Sequence, residues 1–154
     1  MGVFFLSGCV LKPDPKPVSE QSTSSVVTDS GVPLPTGRDA VNLFFTLINE
    51  KRIPEAVAMM SEVAAPDDAT RQAWGVQFNA MQTVEIVSIE PWNEEGWSDK
   101  KELYQTTLKV QMSADSAQAV IPYYGFDGET NVRWIETGKD SQGVWKINGI
   151  YTGP

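Results

Sequence analysis

Histidine is absent from this 154-residue sequence, and cysteine occurs once, at Cys9. Without histidine there is no Ser-His or Cys-His nucleophile pair and no histidine-ligated zinc or iron site. A single cysteine excludes an intramolecular disulfide. Positive charge is scarce as well: 12 Lys and Arg stand against 20 Asp and Glu, for a net charge of −8. An acidic surface repels phosphate backbones, so nucleic acid is not an expected partner. No apolar run approaches the ~20 residues that a membrane-spanning helix needs. A Gly-x-x-x-x-Gly-Lys phosphate loop and a dinucleotide fingerprint are both missing, and no cofactor is expected. No metal is expected either. Asp127-Gly128-Glu129-Thr130-Asn131 alternates oxygen ligands in the manner of a calcium loop, but it lacks that loop's glycine and distal glutamate and reads as an ordinary turn.

What is present is the composition of an ordinary globular protein, with 41% hydrophobic and 21% charged residues, and enough chain for one domain plus appendages. The acidity belongs to the domain: in residues 1–36, Lys12 and Lys16 nearly balance Asp14, Glu20 and Asp29. Residues 12–36 carry Pro13, Pro15, Pro17, Pro33 and Pro35 around Gln21-Ser22-Thr23-Ser24-Ser25. Such a segment buries too little apolar area to offset the entropy of ordering, so residues 9–36 are expected to be a disordered tether. A flexible coil of about 27 residues would hold a domain on the order of 30 Å from its anchor.

The anchor itself is suggested by Val3-Phe4-Phe5-Leu6-Ser7-Gly8-Cys9, a short apolar run, two small residues and the sole cysteine. Leu6-Ser7-Gly8-Cys9 resembles the lipobox of bacterial lipoproteins. The resemblance implies cleavage before Cys9 and attachment of lipid to its sulfur, with residues 1–8 the end of a truncated signal peptide. A complete secretory signal has a basic start and roughly 7–15 apolar residues; here the run is shorter and nothing basic precedes it. The implied location is the cell envelope, facing outside the cytoplasm. Val10 is not the aspartate of inner-membrane retention, so in a host with an outer membrane that membrane is the expected site. The other reading is that Cys9 is an incidental small apolar residue at a frayed end.

From Thr36 onward the pattern is helical. Thr36-Gly37-Arg38-Asp39 forms a capping-box-like start, and Val41, Phe44, Phe45 and Ile48 make an apolar stripe running to about Lys51-Arg52. Ile53-Pro54-Glu55 starts a short helix with Val57 and Met60 turned inward. Ala65-Pro66-Asp67-Asp68 starts another, with Ala69, Ala73, Val76 and Ala80 on one side and Trp74 and Phe78 beside them. After Gln82 the period falls to two. Strands are expected at 83–90, 101–112, 130–137 and 144–150, the second with Tyr104, Thr106, Leu108, Val110 and Met112 on one face. Residues 113–129 read as an arm, an edge strand or a loop.

Helices followed by consecutive antiparallel strands predict an α+β fold, one long and two short helices packed on a curved antiparallel sheet of about four strands. This order, closing in Gly143-Val144-Trp145-Lys146-Ile147-Asn148-Gly149-Ile150, is similar to the cone-shaped NTF2-like superfamily over residues 37–154. The superfamily includes isomerases, dehydratases and non-catalytic binders, so the fold does not choose between them. A pocket between sheet and helices is expected to draw on Trp74, Phe78, Tyr104, Leu108 and Trp134, residues that serve equally well as plain core. A histidine-free isomerase needs a buried carboxylate base, and Glu102 and Glu136 share the strand parity of Tyr104 and Trp134. As strand-end residues they read equally as solvated carboxylates. Trp92 and Trp97 offer either an exposed aromatic platform for a glycan or protein partner, or a cover over the end of the sheet. The sequence therefore predicts a lipid-anchored, non-catalytic module for a small molecule, glycan or envelope protein. An isomerase or dehydratase and a structural accessory of an envelope complex are the alternatives.

Overall fold

The computed structural model describes residues 34–114 and 130–154. Cys9, the tether up to residue 33 and the calcium-like turn at residues 127–129 lie outside them. Among the described residues, three α-helices and four strands follow in the order α1 (Gly37–Asn49), α2 (Ile53–Ala58), α3 (Asp68–Ala80), β1 (Met81–Pro91), β2 (Lys101–Met112), β3 (Asn131–Lys139) and β4 (Trp145–Tyr151). The fold is α+β, with the helices packed on one face of an antiparallel sheet of order β1-β2-β3-β4.

Helices α1 and α3 begin where a side chain takes up an amide that the first turn leaves without an intrahelical partner. The Thr36 hydroxyl accepts from the Asp39 amide at 3.2 Å, and the Asp67 carboxylate accepts from the Thr70 amide at 2.7 Å. Helix α2 carries a proline in its first turn, flanked by the Arg52–Glu55 ion pair at 2.6 Å. Helix α1 ends before Lys51, whose φ of 63° carries the chain out of the helix in the left-handed conformation. Helix α3 is 13 residues long, as long as α1, where a short helix is expected. Its buried face is Trp74, Gln77 and Phe78, while Val76 of the small-residue side is 42% exposed. The large aromatic side chains win the core because they bury more apolar area per residue than alanine.

Helix α1 touches all four strands and buries Ala40, Val41, Phe44, Phe45, Leu47 and Ile48 against them. The sheet bends to meet it. Extra residues interrupt the β1–β2 register at Val87 and the β3–β4 register at Asn148, and such bulges increase local twist. Gly138 beside the second bulge leaves room for the Asn148 side chain, which a β-carbon there would displace, since it would lie 2.1 Å from Asn148 Nδ2. The outer edge of β4 is closed by the chain leaving α2: Met60 bridges Ile147 in parallel, and the Ser61 amide donates to the Ile147 carbonyl at 2.9 Å.

Strand β2 presents the expected face, with Tyr104, Thr106, Leu108 and Val110 buried. Strand β3 presents the opposite one. Its register sets Ile135 against Tyr104 and Ile150, so Asn131, Arg133, Ile135 and Thr137 face the helices. Trp134 and Glu136, expected to point inward, lie on the outer face. The alternation of Val132 and Trp134 with Asn131 and Arg133 points hydrophobic residues to the wrong side, because buried Asn131 and Arg133 occupy the inner face.

Candidate functional site

The residues nominated for an interior pocket separate into two groups. Trp74, Phe78, Tyr104 and Leu108 join the hydrophobic core, each no more than 5% exposed. Phe78 meets Phe44 edge-on at 5.3 Å between centroids and stacks on Trp74 at 5.2 Å, while the Trp74 indole donates to the Ala64 carbonyl. Trp134 belongs to the other face and packs edge-on against Trp92 at 5.7 Å.

Glu102 and Glu136 sit near one another at the sheet end yet have different partners. Both line a small cleft of about 140 Å³ beside Trp97. One oxygen of Glu102, Oε2, accepts from the Gly37 amide at 2.9 Å and from the Tyr104 hydroxyl at 2.5 Å. It thereby caps the first turn of α1 from the sheet, where a helix N-terminus favours negative charge. Approach to the backbone is close enough that a β-carbon on Gly37 would fall 2.5 Å from this oxygen and 2.2 Å from Thr137 Oγ1. Burial, and then the hydrogen bond and charge of Glu102, push the Tyr104 phenol above its ordinary range. Glu136 is paired instead with Lys101 at 2.8 Å, an interaction that raises the lysine pKa. Both carboxylates thus have cationic or hydrogen-bonding partners in the fold.

Trp92 and Trp97 do not form a shared platform. Trp97 is half-buried over the Tyr104 ring at 5.2 Å on the helix side of the sheet, and its indole donates to the Trp92 carbonyl at 3.0 Å. Trp92 is half-buried on the opposite side against Trp134. A left-handed Asn93 at φ 49° and the short 3-10 turn Glu94–Gly96 separate them, so five residues of chain place two rings on two faces.

A further cleft has no counterpart among the expected residues. It holds about 700 Å³ between the α2–α3 connection and the β3–β4 hairpin. Arg71 from α3, Lys139 from the end of β3 and Lys146 from β4 line it, with Glu62 and Asp140. The Lys146 ammonium donates to the Ala58 carbonyl at 3.0 Å, at the C-terminal end of α2, although the residue is only 9% exposed. Burial lowers its pKa, with Asp140 opposing and Arg71 reinforcing that shift. Lys139 lies 4.8 Å over the Trp145 ring. Asp140 shapes the hairpin, accepting from the amides of Gln142 at 2.9 Å and Val144 at 3.0 Å ahead of Gly143 at φ 78°. The one signal in the sequence is Lys146 set between Trp145 and Ile147 in an otherwise apolar strand; Arg71 and Lys139 are unremarkable until the fold gathers them.

Among the described residues, no cluster of three or more His, Cys, Asp or Glu is placed to hold a metal, and no helix is long and apolar enough to cross a membrane. Compared with known proteins, the chain matches no family model, and no curated protein matches it.

Proposed function

We propose that this chain is a non-catalytic binding module of the NTF2-like kind, anchored in a bacterial cell envelope, outside the cytoplasm, by lipid on Cys9. The observation that carries the non-catalytic part is the packing of Trp74, Phe78, Tyr104 and Leu108 into the core at the place where a cone enzyme needs room for substrate. Glu102, the best candidate for a general base, spends one oxygen on a helix amide and a buried phenol. To accept a proton from substrate, that oxygen would have to give up one of these two protein donors. Support for the anchor comes from the sequence: the Leu6-Ser7-Gly8-Cys9 run, followed by a proline- and serine-rich stretch ahead of Thr36.

Two acyl chains hold a protein at a bilayer stably where one does so only marginally, at ~0.8 kcal/mol per buried CH₂. The chain expressed behind a complete signal sequence in a bacterial host should therefore incorporate labelled fatty acid and partition into detergent. Cys9→Ser should abolish both. Unchanged partition in that variant would refute the anchor.

A further inference from the structure

We propose that the cleft between the α2–α3 connection and the β3–β4 hairpin is an anion site that takes the phosphoryl group of a small organic phosphate. The inference gives a ligand class to the binding-module reading and rests on it. Charge is the first observation. In a chain of net charge −8, this one cleft gathers three cations, Arg71, Lys139 and Lys146, against the two carboxylates of Glu62 and Asp140. Asp140 is occupied in part by the hairpin amides of Gln142 and Val144. Among the described residues no carboxylate stands within ion-pair distance of Arg71, Lys139 or Lys146.

Burial is the second observation. Lys146 is 9% exposed, and its ammonium gives one hydrogen bond, to the Ala58 carbonyl, out of the three it has to give. A buried charge without a counter-ion is costly, and an anion in the cleft would offset that cost. Burial likewise lowers the pKa of Lys146, with Asp140 opposing that shift and Arg71 adding to it.

Shape and chemistry choose the ligand. A guanidinium fork and two ammonium groups, arriving from a helix and two strands, suit a tetrahedral dianion with oxygens in several directions better than a planar carboxylate. A volume of about 700 Å³ exceeds what a bare phosphate fills, and Val63, 74% exposed, lends an apolar wall for the organic part. The phosphoryl group could belong to a soluble ester or to a lipid headgroup.

The test is calorimetric titration of the full chain with glycerol 3-phosphate, and flotation with phosphatidylcholine vesicles with and without phosphatidic acid. Saturable binding in either arm supports the site, and the arm that binds identifies the source. Arg71→Gln and Lys139→Gln, on partly or fully exposed side chains, should each weaken binding by about tenfold or more while leaving the circular dichroism spectrum unchanged. Lys146→Met should weaken it further, read beside its own unfolding curve. No binding in either arm, or binding that the Arg71 and Lys139 variants leave intact, overturns the proposal. Because the titration needs no acyl chain, an anchor that fails and a cleft that fails are seen separately.

Discussion

Replacing Glu102 with alanine removes a carboxylate that ties the long helix to the sheet, and the cost follows from its two hydrogen bonds. The Gly37 amide and the Tyr104 hydroxyl donate to the same oxygen at 2.9 and 2.5 Å. Hydrogen bonds to charged acceptors contribute roughly 1.5–3 kcal/mol each. Gly37 is buried, but it stands at the helix end, where fraying of the first turn can reach water, which places its share at the low end. Tyr104 is 3% exposed, so its hydroxyl proton would lose its acceptor in the core. The sum is a loss of about 2–4 kcal/mol. For a domain of this size that is a fall in Tm of on the order of 10 °C. Glu102→Gln retains an acceptor and loses the charge that favours the helix N-terminus, so it should cost only about 1 kcal/mol. Urea unfolding followed by tryptophan fluorescence measures both. The decisive form is a double-mutant cycle with Tyr104→Phe, where the two residues should couple by about 1–2 kcal/mol. A loss below about 0.5 kcal/mol for Glu102→Ala, or strict additivity in the cycle, would show that this carboxylate does not tie the helix down.

Gly37→Ala should destabilise by about 1–3 kcal/mol, because the new methyl must displace Glu102 or Thr137; equal unfolding midpoints for the two proteins would contradict that. Phe78→Ala should cost about 3–5 kcal/mol, the upper range for an aromatic that is fully buried and packed on two other rings. High pH should also unfold the domain. The Tyr104 phenol is raised above its unfolded value, so the folded state keeps a proton that the unfolded chain releases. That stability is complete below about pH 10 and falls as the pH rises beyond it, a slope that denaturant titrations above pH 9 would read and that Tyr104→Phe should flatten.

Much of the local structure was legible before any coordinates. Thr36 and Asp67 announced helix starts through hydroxyl and carboxylate groups that accept first-turn amides, and β2 from Lys101 to Met112 showed its buried face through strict alternation. These features depend on residues within a few positions of one another, where hydrogen-bond geometry and side-chain period act directly. The strand count and the α+β order follow from the same local signals.

What only the tertiary structure decided depends on register and on which elements meet. Pairing with Tyr104 and Ile150 turned Ile135 inward and Trp134 outward, against the hydrophobic reading of β3. The Trp92–Trp97 loop carries no periodicity, so nothing in its sequence could place one ring on each face of the sheet. Glu102 acquired its role from Gly37, 65 residues earlier, and Arg71, Lys139 and Lys146 became neighbours only when α3 and the β3–β4 hairpin came together. A sequence states which side chains can make an interaction; the distance between them, on which electrostatics and hydrogen bonding depend, exists only once the chain has closed on itself.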